Sequence, residues 1–155
     1  MEKLKIGVVG AGVWGATHAS IYDEHPLAEF TAICDQDIAR AEKIAAQYGV
    51  KEVYSDYRKM AKESSCDAVA IVTPDFLHAD IAVAFADAKK HLLIEKPLAT
   101  NVPDIERICE AVERNGIRCM VDLHNRWNSP FNTAWQEIRS GRLGVPYSAY
   151  IRLND

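Results

Sequence analysis

Three groups of residues have types and spacings suited to chemistry. The first is Gly10-Ala11-Gly12-Val13-Trp14-Gly15, a G-x-G-x-x-G segment between the apolar run Leu4 to Val9 and a stretch with helical spacing. After a strand and before a helix, such a loop holds a dinucleotide pyrophosphate. Gly10 permits the tight turn, Gly12 lets the backbone approach the phosphates, and Gly15 lets the helix pack closely on the strand. The helix N-terminus adds unpaired N–H groups and the positive end of its dipole. A P-loop is excluded, because no Gly-Lys-Ser/Thr follows. The second group is Asp35, 20 positions after Gly15. A carboxylate there accepts hydrogen bonds from the adenosine ribose hydroxyls and repels a 2′-phosphate, which favours NAD over NADP. Gln36 and Asp37 bring no base beside it, although Arg40 can swing toward a 2′-phosphate. Asp35 can equally cap the next helix, and the two roles are compatible. The third group is Leu93-Ile94-Glu95-Lys96-Pro97. A lysine at a strand's carboxyl end can orient a carbinol oxygen and help to move its proton. Taken by position alone, Lys96 also reads as a solvated surface lysine.

The elements that must position these groups alternate along the chain. Strands are expected at Leu4 to Val9, Glu29 to Cys34, Glu52 to Tyr54, Asp67 to Thr73, His91 to Ile94 and Ile117 to Val121. Helices fall between them. Ile38, Ala41, Ala45 and Tyr48 share one helical face, with Gly49 as its stop. Ser55 or Asp56 caps a short helix. Leu77, Ile81, Phe85 and Ala88 form another stripe, and Pro103 and Asp104 open a helix faced by Ile105, Ile108 and Val112. Near-continuous apolar strands alternating with helices imply an α/β fold, a doubly wound parallel sheet of the Rossmann type in the order 3-2-1-4-5-6.

Beyond Val121 the texture changes. Asn128-Ser129-Pro130 interrupts the pattern, and a helix is expected from about Phe131 to Ser140. Residues 147–153 alternate like a half-exposed strand with no obvious partner. The division drawn is therefore 1–122 for the dinucleotide-binding domain and 123–155 for the first helix and strand of an incomplete second domain. The chain is read as truncated, with self-association expected through the unpaired last strand.

Composition narrows the class. A formal net charge of −4 argues against nucleic acid or an anionic membrane as the main partner. The first apolar run breaks at Gly10, too early for a signal-peptide core, so a cytoplasmic location is expected. Cys34, Cys66, Cys109 and Cys119 form no C-x-x-C pair and fit no zinc pattern; no metal is expected, and all four read as small buried hydrophobes.

The combination Gly10-x-Gly12-x-x-Gly15, Thr73-Pro74-Asp75-x-x-His78 and Lys90-His91-x-x-x-Glu95-Lys96-Pro97 closely resembles the Gfo/Idh/MocA oxidoreductase family. Asn125-Arg126-Trp127 and Ser140-Gly141-x-Leu143-Gly144 resemble that family's entry into its second domain. The resemblance implies hydride transfer between NAD, or less readily NADP, and a hydroxyl of a sugar, cyclitol or related polyol. It implies that Lys96 meets substrate and nicotinamide, that Thr73, Pro74 and His78 lie along the cofactor with Glu95 beside it, and that Arg126 contacts cofactor or substrate. It further implies a second domain that builds a homo-oligomer. His78 also reads as a packing residue at a helix start, and Arg126 as an inter-domain ion-pair partner. Two rivals stay open: a dinucleotide-binding regulatory module without catalysis, and a nucleotide-sugar enzyme on the same fold.

Overall fold

Six parallel strands form one sheet in the order β3-β2-β1-β4-β5-β6 in the computed structural model, which describes residues 2–152. The strands are β1 (Leu4–Val9), β2 (Ala28–Cys34), β3 (Glu52–Tyr54), β4 (Ala68–Ile71), β5 (His91–Glu95) and β6 (Cys119–Asp122). The helices are α1 (Val13–Glu24), α2 (Ile38–Tyr48), α3 (Tyr57–Glu63), α4 (His78–Asp87), α5 (Val102–Asn115) and α6 (Ser129–Arg139). A single 3-10 turn, Asp75–Leu77, precedes α4. The strand order is the one expected from the alternation of elements, because each parallel pair needs a crossover helix and right-handed crossovers leave few arrangements.

The sheet carries a core on each face. Ala32 and Cys34 of β2 belong to one buried cluster, with Ile71, Phe85, Ile94 and Ile108. Ile33 between them belongs to the other, with Ala19, Ala41 and Ala45 of α1 and α2. Successive strand residues point to opposite faces, so this division places α1 and α2 on one side and α3, α4 and α5 on the other. Small residues dominate the α1–α2 side, which lets the helices lie close to the sheet.

Local signals set the helix ends. Asp56 accepts the Arg58 N–H at 2.8 Å and starts α3. Asn101 accepts the Asp104 N–H at 3.0 Å and starts α5, one residue ahead of the expected Pro103. Gly49 ends α2 with φ +70°, a left-handed turn that glycine adopts without strain.

The chain divides into two compact units, Met1–Asp122 and Leu123–Asp155. In the second, two readings of the sequence need correction. Pro130 does not interrupt the pattern; it lies in the first turn of α6, where its missing N–H costs nothing. The alternating segment 147–153 is not a strand over its described part: residues 147–152 make no ladder, and Leu153 lies outside the described residues. A strand is stabilised by a neighbour that accepts and donates along its length, and among the described residues none pairs with this one. Its alternation records a preference without a partner. A third correction concerns the cysteines: Cys34 and Cys66 are buried, Cys119 is half-buried, and Cys109 is exposed on the outer face of α5.

Candidate functional site

The strand order reverses between β1 and β4, and the strands' carboxyl ends diverge there to leave a cleft of about 400 Å3. Open parallel sheets bind ligands at this switch point. Val9 and Gly10 at the end of β1, Cys34 and Asp35 at the end of β2, and Val72 and Thr73 just beyond β4 contribute to its walls.

The glycine loop is built as its spacing predicts, with a separate reason for each glycine. Gly10 has φ +107°, and a β-carbon there would stand 2.6 Å from the Val72 carbonyl oxygen. A β-carbon on Gly15 would fall 1.9 Å from the Gly10 carbonyl oxygen, so the loop and α1 close on each other only with hydrogen at that position. At Gly12 a β-carbon would meet no protein atom within 4 Å. The fold itself therefore has no need of glycine at Gly12; what a side chain would occupy there is the cleft. Gly12 is also the N-cap of α1 and brings no side-chain acceptor to the first turn, which carries no acidic residue. Those N–H donors suit an anionic ligand.

Asp35 ties the loop down. Its Oδ2 accepts the Ala11 N–H at 2.7 Å and its Oδ1 accepts the Asp37 N–H at 2.9 Å. The carboxylate thus fixes the glycine loop and the entry to α2 together. Each oxygen keeps a further lone-pair site for a hydroxyl ligand. Arg40, which also lines the cleft, pairs with Asp37 at 3.1 Å on the surface. Burial, followed by the Asp35 and Asp56 charges, pushes the Cys34 thiol up to about 12. It is a wall of the cleft and not a nucleophile.

Thr73 and Pro74 line the cleft opposite the glycine loop. The Thr73 hydroxyl oxygen is buried with no hydrogen-bond partner among the described residues. A buried hydroxyl of this kind is a costly group to leave unpaired, and it suits a polar ligand. His78 stands behind this wall, 1% exposed. Its Nε2 lies 2.9 Å from the Thr73 carbonyl oxygen and its Nδ1 2.9 Å from that of Pro97. The imidazole is a strut between the loops that follow β4 and β5. Thr73 and Pro74 thus face the cleft, whereas the buried His78 ring stands one layer behind them.

The β5 end is organised differently. Glu95 is buried, and its Oε2 accepts the Lys96 N–H at 3.1 Å. Its Oε1 faces His18 Nε2 at 3.4 Å. Lys96 is exposed, its peptide bond to Pro97 is cis, and its ammonium makes no ion pair or hydrogen bond with a described residue. Of the residues singled out in the sequence, Gly10, Gly12, Asp35, Thr73 and Pro74 share the cleft, and Ala11 supports it through Asp35. Val13 and Trp14 are exposed on the first turn of α1. Arg126 is exposed in the second unit, where its carbonyl accepts from Asn132 at 3.2 Å. Sequence reasoning missed His18, Tyr22 and Asp122, which gather around Glu95. The only signal was the four-residue spacing of His18 and Tyr22 on α1; the pairing of Glu95 with Asp122 across β5 and β6 depends on strand register.

The chain is 31% identical over 152 residues to an inositol 2-dehydrogenase of Salmonella typhimurium, covering 96% of this chain and 45% of that protein. It spans less than half the length of the curated relatives it matches. Among solved structures, scyllo-inositol dehydrogenase from Lactobacillus casei with bound NAD(H) and scyllo-inositol superposes with a TM-score of 0.88 at 26% identity, over 92% of this chain and 43% of that one. The WlbA dehydrogenase from Bordetella pertussis, in complex with NADH and UDP-GlcNAcA, superposes with a TM-score of 0.86 at 30% identity, over 92% and 44%. The family model described as an oxidoreductase family with an NAD-binding Rossmann fold matches residues 4–123, and the chain belongs to that family, Gfo/Idh/MocA.

Proposed function

We propose that this chain is the dinucleotide-binding half of an NAD-dependent dehydrogenase acting on a CH–OH group of a sugar, cyclitol or related polyol. The observation that carries the reading is the cleft at the β1–β4 switch point, with Gly12 open toward it and Asp35 at its rim. The residues fit the cofactor. The first turn of α1 would hold the pyrophosphate, Asp35 the adenosine ribose, and the unpaired Thr73 hydroxyl a polar group of the same ligand. Asp35 favours NAD over NADP, and the Arg40–Asp37 pair keeps the nearest cation occupied. NAD, when bound, supplies a hydride acceptor. Lys96 orients the reacting substrate oxygen and shares its proton, while Glu95 fixes the backbone of that lysine.

The substrate class draws on the inositol dehydrogenases among the relatives. The WlbA complexes carry a second reading, a nucleotide-linked sugar acid, on the same cofactor half. We further place the protein in the cytoplasm, supported by four free cysteines, and as a homo-oligomer assembled through a second domain that begins at residue 123. No helix among the described residues is long and apolar enough to cross a membrane.

The test is a titration of the chain with NADH and NADPH followed by tryptophan fluorescence, since Trp14 stands on the first turn of α1. NADH binds more tightly, and Asp35→Ala weakens it by about tenfold or more, the loss of a charge-assisted hydrogen bond. Tighter NADPH binding reverses the cofactor reading; binding of neither sinks it. Turnover of a polyol by the chain joined to its second domain separates the dehydrogenase from a regulatory module.

A further inference from the structure

Four side chains converge behind the β5 turn, apart from the cleft that α1 and Asp35 define. Glu95 and Asp122 are register partners on β5 and β6, so two carboxylates stand side by side at the carboxyl ends of adjacent strands. Unaided, two carboxylates in that position repel each other, and each is free to turn away. His18 reaches between them from α1. Its Nε2 is 3.4 Å from Glu95 Oε1 and 3.7 Å from Asp122 Oδ2. Its Nδ1 is 3.0 Å from the Tyr22 hydroxyl, one turn further along the helix. His18 is 7% exposed, and the ligand-type atoms of His18, Glu95 and Asp122 all lie within 4.8 Å of one another.

The donors in this group can be assigned a direction. His18 Nε2 faces two carboxylate oxygens, which only accept, so Nε2 carries the N–H that is directed toward Glu95. Burial, and then the Asp122 and Glu95 charges, hold the Tyr22 phenol above its ordinary pKa, so it keeps an O–H that can be donated to His18 Nδ1. Glu95 then presents its other oxygen to the Lys96 N–H at 3.1 Å. The result is one line of hydrogen bonds running from Tyr22 through His18 and Glu95 to the backbone of Lys96. It joins the helix whose first turn faces the cleft to the turn that carries the lysine.

We propose that His18, held by Tyr22, is a positioning residue that sets the Glu95 carboxylate and through it the backbone of Lys96. The inference rests on the reading above in one respect only: the purpose of holding Lys96 is to aim it at the reacting oxygen. Removal of His18 frees the Glu95 carboxylate to rotate or to take water, and the Lys96 N–H loses its acceptor. Asp35 bonds to Ala11 and Asp37, neither of which belongs to this line, so removal of His18 leaves the Asp35 anchor of the glycine loop in place.

The experiment reads the Lys96 backbone amide by NMR and hydrogen exchange in the 155-residue chain, in wild type, His18→Ala, His18→Gln and Tyr22→Phe. In wild type the Lys96 amide proton resonates downfield and exchanges slowly. In His18→Ala it moves upfield and exchanges about tenfold faster, the loss of a hydrogen bond to a charged acceptor. His18→Gln keeps an N–H donor near the place of Nε2 and restores the slow exchange. Tyr22→Phe removes one hydroxyl, keeps the packing, and gives an intermediate rate; it decides the matter if His18→Ala fails to fold. An unchanged Lys96 amide in both His18→Ala and Tyr22→Phe, with the remaining spectrum native, overturns the proposal. NADH titration of the same samples keeps the two readings apart: a chain that shows the Lys96 response but binds no dinucleotide retains the positioning line and loses the proposed function.

Discussion

The two ends of the candidate site are built by different means. At the β1 end, nearly everything is backbone: three glycines, the first turn of α1, and one carboxylate that reaches only to Ala11 and Asp37. At the β5 end, the organisation is chiefly a set of polar side chains from α1, β5 and β6 at little-exposed positions. The first end is rigid because no other backbone path fits. The second is rigid because each of several hydrogen bonds is made, and it fails by losing any of them. The difference predicts that glycine substitutions at the first end act either on folding or on ligand entry, whereas substitutions at the second act in steps along the hydrogen-bonded line.

The sharpest test of that contrast lies within the glycine loop itself. Gly15→Ala forces a β-carbon onto the Gly10 carbonyl, and because the obstacle is backbone, relief requires moving the loop or α1. We expect a loss of about 3 kcal/mol or more in urea unfolding, the upper range for overpacking. Gly12→Ser meets no protein atom and places a good N-cap residue at the head of α1, so its stability stays within about 1 kcal/mol of wild type. Its NADH affinity nevertheless falls by about tenfold or more, because the new side chain stands where the pyrophosphate approaches. Equal stability losses in the two variants would remove the distinction between a glycine required by the fold and one required by the ligand.

His78 links the two ends. Its ring spans from the Thr73 carbonyl in the cleft wall to the Pro97 carbonyl beside Lys96. His78→Ala leaves a cavity at a 1% exposed site and removes the ring that lies between the part-buried Thr73 and Pro97 carbonyl oxygens. A loss of about 2 to 3 kcal/mol is expected from those two causes. The Lys96 amide and the NADH affinity should both change, in contrast to the His18 variants, which move only the first. A His78→Ala chain that disturbs one end alone would show that the two loops are independent.

The same contrast explains what could be read in the sequence. The strand order followed from alternating apolar runs and helical stripes, because crossover geometry restricts the topology once six parallel strands are counted. Gly10, Gly12, Gly15 and Asp35 were legible because their contacts are local in sequence or fixed by the motif. His18, Tyr22 and Asp122 were not, since nothing in one chain of letters says that Asp122 stands level with Glu95. His78 was ambiguous for a related reason: a histidine at a helix start looks alike whether its ring faces a ligand or two carbonyls. The strand expected at 147–153 shows the limit from the other side. Alternation reports which faces a strand would present, whereas a ladder depends on a neighbour that lies elsewhere.

The smallest expected effect comes from Cys34, which sits at the β1 end yet contributes through burial alone. Its folded pKa is about 12 against an ordinary value of 9.0. A thiol raised by folding gives stability that is fully present below the unfolded value. Above pH 9 the unfolded chain ionises while the folded chain does not, so unfolding is increasingly favoured until the folded thiol also titrates near 12. Stability measured by urea unfolding at successive pH values should therefore decline above pH 9. Cys34→Ala, which removes one of several raised groups at the cost of a small cavity, should make that decline shallower while lowering stability modestly at pH 7. Iodoacetamide at neutral pH should label Cys109, which is exposed, and spare Cys34 in the folded chain. Ready labelling of Cys34 would mean that the cleft wall opens on its own, and the β1 end would then be no more rigid than the hydrogen-bonded line at β5.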